Sequence, residues 1–345
     1  MNKNDAFMRD QNIDIYKGLL IFLVVFGHCL ERFLGWQNEL GKMFLQCIYL
    51  VHMPAFIFLS GYLFKDHKIS KKIQYFLSLM IPFQLFYVLL DYYYAGHLSS
   101  KWLWQPYWLL WYLWAMLAWV ILARGLKVTH YPVALSFLLA LLIGLSPINN
   151  YILSIGRIFN FLPFFMLGHI YGQRIFTQLK QLPYAGVWAF GILMTIFIFI
   201  QYVPLKSYWL YGSLSYQQMH VAALQGMLQR LGYLTLSLLC LLSIYVLIQY
   251  LPQFFEKLGK NSLAIYLWHG LILLGLSHVL HLSASPAIQL GIVVFGSMLI
   301  CSICMLPIFH QSIQKISQVF LLFFTTLRFG QTHDYKPAFS SAVRK

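Results

Sequence analysis

The stretch Asp14-Ile-Tyr-Lys17-Gly18-Leu-Leu-Ile-Phe-Leu-Val-Val-Phe-Gly27-His28 decides the fold class of this chain. It is an apolar run of the length that a membrane-spanning helix needs, yet it carries ionisable side chains. Eleven residues advance an α-helix by about 1,100°, so Lys17 and His28 lie on one face, about 16 Å apart. Ionisable groups at bilayer depth are costly and usually face the interior of a helix bundle. This stripe is therefore the first candidate functional feature.

The composition extends the membrane interpretation to the whole chain. Of its 345 residues, 60% are hydrophobic, 18% aromatic and only 10% charged, and the mean hydropathy is +0.69. These values exclude an ordinary soluble domain and predict an all-α polytopic membrane bundle, because spans of this length satisfy their backbone hydrogen bonds as helices. The apolar runs predict ten spans, at 12–31, 43–64, 74–92, 106–123, 131–147, 155–173, 184–203, 231–250, 262–281 and 287–309.

The basic residues predict the orientation of these spans. With a cytoplasmic N-terminus, 18 of the 24 Lys and Arg residues fall in inner segments, five in outer segments, and Arg157 in a span. This bias predicts that both termini are cytoplasmic in a multi-pass protein of the cytoplasmic membrane. Basic inner loops facing anionic lipids also explain the net charge of +15, so we expect membrane lipids and no nucleic acid as partners.

The chain is predicted to hold one membrane domain with short flanking segments. We expect a cytoplasmic N-terminal segment at 1–11, a transmembrane domain at 12–310 and a cytoplasmic or interfacial tail at 311–345, whose first part is amphipathic. The first span is too long for a signal peptide and has no Ala-x-Ala-like exit, so we expect it to be retained. The pair Cys301-x-x-Cys304 lies in an apolar helix without histidine or acidic neighbours, and we expect no metal site.

Polar groups recur in several other spans. They occur in the motifs His52-Met-Pro54, Ser60-Gly61-Tyr62, Trp111-Tyr112-Leu113, Arg157 with Pro163-Phe-Phe and Gly168, and Asn261-Ser262 with Tyr266-Leu and His269. Together with the Lys17/His28 stretch, these motifs resemble the acyltransferase 3 family of integral membrane acyltransferases, in particular its branch of fucose 4-O-acetylases and polysaccharide O-acetyltransferases. The resemblance covers about residues 10 to 310. The usual signature of the family has arginine where this chain has Lys17, a departure that the fucose acetylase-like branch shares.

The resemblance implies a membrane-bound O-acyltransferase. Such an enzyme takes an acyl group, expected to be acetyl, from cytoplasmic acyl-CoA and transfers it to a hydroxyl of an extracytoplasmic polysaccharide or a lipid-linked sugar. It leaves open a polysaccharide synthase or export protein as a partner. The distance of about 16 Å between Lys17 and His28 matches the reach of an extended pantetheine arm. Acetyl-CoA is thus the expected co-substrate, held inside while it reacts near the outer surface.

Candidate roles follow from this arrangement. His28 is the expected general base or transient acyl carrier, and Glu31 on the same face is expected to orient its ring. The donor site is assigned to Lys17, Lys71, Lys72 and Ser60, and the substrate pocket to His52, Arg157, Asn261, Tyr266 and His269.

Structural alternatives accompany each of these roles. Lys17 can instead reach the headgroups or pair with Asp14 at i–3, the more common use of such an acid. His52 and His269 can bond across helices, Arg157 can snorkel to the interface, and the cluster at 65–72 can be a topology signal. The outer aromatics, among them Trp108 and Tyr211, suit either a sugar-binding rim or the belt at a membrane interface, and we favour the belt.

A transporter or flippase for a glycan or small solute is the alternative function. It would use the same buried polar residues, and similar broken helices in two halves of the chain would favour it. No such halves are evident in the sequence. Solute flux without thioester consumption would distinguish the transporter from the enzyme.

Overall fold

The fold consists of helices throughout the described part of the chain. The computed structural model describes residues 11–203 and 205–327. Its α-helices are α1 (Gln11–Phe33), α2 (Glu39–Leu63), α3 (Ile69–Ala95), α4 (Trp111–Leu126), α5 (Pro132–Leu142), α6 (Ile155–Gln181), α7 (Ala185–Tyr202), α8 (Ser207–Tyr211), α9 (Ala223–Leu247), α10 (Phe254–Lys260), α11 (Ser262–Val279), α12 (Pro286–Cys304) and α13 (Pro307–Leu327). Short 3₁₀ turns lie at Ser100–Leu103, Trp108–Leu110, Ile143–Leu145, Ile152–Ser154 and Ile248–Tyr250.

Nine helical segments of the described residues are long and apolar enough to cross a membrane. They coincide with nine of the ten predicted spans, which confirms the all-α polytopic bundle. The remaining prediction, 131–147, corresponds to the shorter helix α5 and the 3₁₀ turn that continues it.

Although helix α5 is short, it connects the two ends of the bundle. We call the end where α1 begins the N-side and the end where α1 finishes the far side. Lys127, in the connection between α4 and α5, forms an ion pair with Asp66 in the N-side loop between α2 and α3. Just after α5, the Gly144 carbonyl accepts a 2.7 Å hydrogen bond from the backbone N–H of Tyr216 in the far-side loop. Together with the nine long segments, α5 brings the crossings of the described residues to ten, so the chain is back on the N-side after α12.

The last described helix, α13, belongs to the bundle. After a break at Met305, α13 packs against α3 and α11. The Ser317 hydroxyl lies 2.6 Å from the Ser78 hydroxyl in a buried contact, and Ile313 is buried. The boundary that we expected after residue 310 therefore falls inside α13. The expected N-terminal segment, 1–11, and the tail beyond 327 lie almost wholly outside the described residues.

Close helix crossings place α1 and α2 at the centre of the bundle. Helix α2 crosses α6 where Gly168 faces Phe58: a Cβ on Gly168 would lie 1.9 Å from the Phe58 carbonyl oxygen. Similarly, a Cβ on Gly18 of α1 would lie 1.7 Å from the carbonyl oxygen of Phe255, in the first turn of α10. Small residues allow such backbone approach in membrane bundles. These two crossings hold the helices that carry the candidate site.

We predict that Gly168→Ala lowers the apparent unfolding temperature of the protein in detergent. The added methyl group must push α2 and α6 apart, and overpacking of this kind costs about 1–3 kcal/mol. Gly191→Ala is the matched control, because its Cβ would meet no atom within 4 Å and alanine favours helix by about 0.8–1 kcal/mol. Thermal unfolding followed by tryptophan fluorescence measures both variants, and equal unfolding temperatures would contradict the close crossing.

Candidate active site

His28 and Glu31 lie on the last far-side turns of α1. The Nδ1 atom of His28 is 3.6 Å from a carboxylate oxygen of Glu31 and 3.4 Å from the Tyr49 hydroxyl. That hydroxyl donates a 2.7 Å hydrogen bond to the same Glu31 oxygen. Glu31 therefore acts on the imidazole both through space and through Tyr49, a residue of α2.

A second phenol holds the other oxygen of Glu31. The Tyr211 hydroxyl, at the end of α8, donates to it and accepts a 2.8 Å hydrogen bond from the Trp36 indole nitrogen. Burial raises the pKa of Tyr211 well above its ordinary value, and the charge of Glu31 and the hydrogen bond to it raise the pKa further. Tyr211 therefore stays protonated and remains a donor, so two phenols supply the hydrogen bonds that water would otherwise give this carboxylate.

Two rings pack on the imidazole of His28. The Trp108 ring centroid lies 4.7 Å away, and the His269 ring stacks at 5.7 Å with an interplanar angle of 16°. His269 is fully buried, and its Nδ1 is 2.7 Å from the Ile265 carbonyl oxygen. A carbonyl accepts only from a protonated nitrogen, so Nδ1 carries the proton, and in the neutral ring Nε2 is the acceptor. Among the described residues, Nε2 has no hydrogen-bond partner.

His52 and Arg157 lie in the layer around Tyr49. The His52 ring is 4.7 Å from the Tyr49 ring, and its Nδ1 is 2.7 Å from the Ile48 carbonyl oxygen. The Nε of Arg157 donates a 2.8 Å hydrogen bond to the Ser213 hydroxyl, and its guanidinium lies 5.0 Å from the Trp111 ring centroid. This layer concentrates polar side chains at the far-side end of the site.

An apolar cavity of about 180 Å³ extends from His28 toward the N-side. On α1 its wall is made by Ile21, Val24 and His28, which have the i, i+3, i+7 spacing of one helix face. On α11 it is made by Ser262, Leu263 and Tyr266. The seven residue steps from Ile21 to His28 cover about 10 Å along the helix axis. The remaining wall residues are Met53, Phe56, Phe76, Leu109, Trp111, Tyr112, Leu113 and Met116.

Three of the predicted site residues support this cavity in different ways. Tyr266 lines it and donates a 2.7 Å hydrogen bond to the Leu109 carbonyl. Ser60 lies behind the wall, with its hydroxyl 2.6 Å from that of Tyr112. Asn261 forms the junction between α10 and α11, where its side-chain amide donates a 2.9 Å hydrogen bond to the Lys257 carbonyl. Asn261 thereby positions the next residue, Ser262, at the cavity.

The predicted donor-site lysines lie at the N-side. Lys17 forms a 2.6 Å ion pair with Asp14, whose side chain is 2% exposed, as the i–3 spacing predicts. Lys71 is exposed at the start of α3. Lys72 donates to the Lys65 carbonyl and lies 4.4 Å above the Phe64 ring. The ammonium groups of Lys71 and Lys72 therefore stand on the membrane side from which the cavity extends to His28.

Asp66, in the loop between α2 and α3, has basic partners of its own. Asp66 pairs with Lys127 and lies 3.2 Å from the His169 imidazole. Partial burial raises the pKa of Asp66, but the hydrogen bond from Lys127 and the nearby His169 lower it more, and the net pKa is below its ordinary value. Asp66 is thus a carboxylate that is paired with Lys127 and His169 and also attracts the ammonium of Lys72.

The sequence analysis missed the aromatic residues that complete the site. Tyr49 received no role, and Trp108 and Tyr211 were assigned to an interfacial belt, whereas the structure places all three on His28 or Glu31. One signal was present: Tyr49 precedes His52 by three residues, so both lie on one face of α2. Among the described residues, no group of three or more His, Cys, Asp or Glu side chains is arranged to hold a metal ion.

Comparisons with known proteins agree with this architecture. A nodulation protein NolL of Sinorhizobium fredii is 29% identical over 192 residues, and the match covers 49% of this chain and half of that protein. The NolL protein of Mesorhizobium japonicum is 26% identical over 305 residues, which is 76% of each chain. No solved structure matches significantly. A family model described as an acyltransferase domain matches residues 10–306. The chain therefore belongs to the acyltransferase 3 family and is an integral membrane O-acyltransferase.

Proposed function

We propose that the protein transfers an acetyl group from cytoplasmic acetyl-CoA to a hydroxyl of an extracytoplasmic polysaccharide or its lipid-linked precursor. The observation that carries this proposal is the apolar cavity that begins at His28 and extends about 10 Å along α1 toward the N-side. The cavity leads along α1 to an imidazole that can act on protons. The excess of lysine and arginine in the N-side loops favours the cytoplasm for that side.

The donor would enter from the N-side. Lys71 and Lys72 are placed to meet the phosphates of coenzyme A at the membrane surface, with Lys17 deeper on α1. Lysine acts here as a point charge, because it lacks the planar fork with which arginine binds a phosphate. The pantetheine arm would occupy the cavity and bring the thioester beside His28. Tyr112, held by Ser60, and Tyr266 keep the walls in place.

His28 is the proposed general base. The acceptor hydroxyl gives its proton to His28 as its oxygen attacks the thioester carbonyl, and the C–O bond forms as the C–S bond breaks. The leaving thiolate then takes that proton from the imidazolium. Glu31 and Tyr49 face Nδ1, so Nε2 is the ring nitrogen left for the acceptor. Glu31 would stabilise the imidazolium while the proton is held.

His269 and Arg157 are proposed to act from either side of this base. The unprotonated Nε2 of His269 lies in the ring stacked on His28, and it would accept a hydrogen bond from a reacting group next to the imidazole. Arg157 and the aromatic layer would bind the acceptor sugar at the far side. A polysaccharide synthase or export protein would supply the acceptor there. Membership of the acyltransferase 3 family favours this enzyme over a transporter.

We predict that His28→Gln lowers acetyl transfer by about 10²–10⁴-fold, the range that general base catalysis contributes. The measurement is acceptor-dependent thiol release from acetyl-CoA by the purified protein in nanodiscs, with a cell-envelope glycan fraction as the acceptor. His269→Gln should give a smaller loss in the same assay.

The matched control for this assay is His97→Gln. His97 is exposed in the loop after α3, so its variant should transfer at the rate of the unmodified protein. Full activity of a folded His28→Gln variant would refute the role of His28 as the general base. Solute flux into vesicles without any thiol release would favour the transporter instead.

Filling the cavity should block the donor. Met53→Trp places an indole in a space of about 180 Å³, and we expect acetyl-CoA consumption to fall at least about tenfold with little change in unfolding temperature. Leu299→Trp, on a half-exposed position of α12, adds the same indole outside the cavity and should leave the rate unchanged. If Met53→Trp consumed acetyl-CoA normally, the donor would have to take another route.

Removing the lysines should weaken donor binding from one membrane side. We expect the double variant Lys71→Gln, Lys72→Gln to raise the KM for acetyl-CoA about tenfold at nearly constant kcat, because a charge-assisted contact contributes about 1.5–3 kcal/mol. Lys42→Gln, in the first turn of α2 on the far side, is the control. Oriented vesicles with acetyl-CoA on one face only provide the measurement, and an unchanged KM would remove these lysines from the donor site.

A further inference from the structure

A buried arginine lies outside the proposed reaction. Arg230, near the start of α9, has 3% of its surface exposed. Its two terminal nitrogens donate 3.0 Å hydrogen bonds to the carbonyl oxygens of Ala140 and Leu214. Its Nε has no partner among the described residues. The arginine therefore ties α5 and the far-side loop to α9 and retains one unused donor.

The charge of Arg230 is not matched by an acid. In the described part of the chain, no carboxylate forms an ion pair with it, and Glu31, the acid of this region, interacts with Arg157. The rings of Tyr216 and Trp209 lie 4.8 and 6.0 Å from its guanidinium, and such cation–π contacts contribute about 0.5–2 kcal/mol. An unpaired buried charge costs several kcal/mol more than that. The site thus favours an anion.

A small cavity adjoins this side chain. It has a volume of about 20 Å³ and lies between α2, α6, α8 and α9. Its polar wall is made by Arg230, Asn160, Ser237, Tyr233 and Tyr49. These side chains all carry N–H or O–H groups, of which the Tyr49 hydroxyl already donates to Glu31, and no carboxylate of the described residues lines the space. The volume admits one water-sized particle, since about 10–15 Å³ is enough for a water molecule.

We propose that this cavity binds a single monatomic anion, which would be chloride in the cell. A space that admits one water-sized particle excludes the several heavy atoms of a carboxylate or a phosphate, whereas a single halide ion is close to that size and matches the charge of Arg230 and its unused Nε–H. The anion would connect α6 and α9 with Trp209 and Leu210, the two residues before Tyr211. It is a structural site, separate from the cavity that begins at His28 and independent of acyl transfer.

The test is binding of radioactive ³⁶Cl⁻ to the purified full-length protein in detergent, measured by scintillation proximity. We expect saturable binding near one ion per chain that bromide displaces and gluconate does not. Arg230→Gln should abolish binding. Ser237→Ala removes one donor and should weaken binding about tenfold, the fold-change that corresponds to about 1.4 kcal/mol. Ser302→Ala, exposed on α12, is the matched control and should bind normally.

Two results would overturn the proposal. Monodisperse, unmodified protein without displaceable ³⁶Cl⁻ would show that the cavity holds only water, and normal binding by Arg230→Gln would place the ion elsewhere. If Arg230→Gln does not fold, Ser237→Ala decides between these outcomes, because normal affinity in that variant contradicts the site. Since the assay contains no acetyl-CoA, a negative result leaves the proposed acyl transfer untouched.

Discussion

The desolvation of Glu31 constrains the far-side half of the bundle. A carboxylate at this depth needs hydrogen bonds in place of water, and the chain supplies them from α2 through Tyr49 and from α8 through Tyr211. Trp36 in turn fixes Tyr211. The positions of α1, α2 and α8 are therefore coupled through one side chain. The same contacts leave the Nδ1 side of His28 facing a negative group, so the requirements of burial and of acid–base chemistry are met by the same atoms.

The sequence predicted what depends on composition and helical periodicity. Nine spans, the shared face of Lys17 and His28, and the pair of Lys17 with Asp14 follow from apolar run length and from i, i+3 geometry. The partners of Glu31 were not predictable in this way, because Tyr49 and Tyr211 lie 18 and 180 residues from it. In a chain with 18% aromatics, each tyrosine is equally compatible with a membrane interface. Only the packing of helices distinguishes the two uses.

The cavity has the same dependence on packing. Two of its walls come from α1 and α11, which are distant in sequence, and their relation is set where Gly18 of α1 meets the backbone of Phe255. At the junction with α10, Asn261 bonds back to Lys257, and α11 starts at Ser262. A single continuous helix would carry the face of Ser262 and Tyr266 in another direction. The motif Asn261-Ser262 was predicted from the sequence to be a pocket element; Ser262 lines the cavity, and Asn261 lies at the helix junction beside it.

One side of the site is apolar and the other is polar, and this difference affects how far water can compete with the acceptor. In the proposed reaction, the thioester lies in a cavity whose walls are almost all apolar, whereas the polar layer of Arg157, His52 and the two tyrosines lies beyond His28 on the far side. Water that reached the thioester would hydrolyse it, and the apolar walls of the cavity limit the access of water. Trp108 packs directly on the imidazole and covers part of the surface from which far-side water would arrive. In the proposed reaction, the acceptor sugar would occupy the space beside His28 itself and would thereby complete the exclusion of water at the time of transfer.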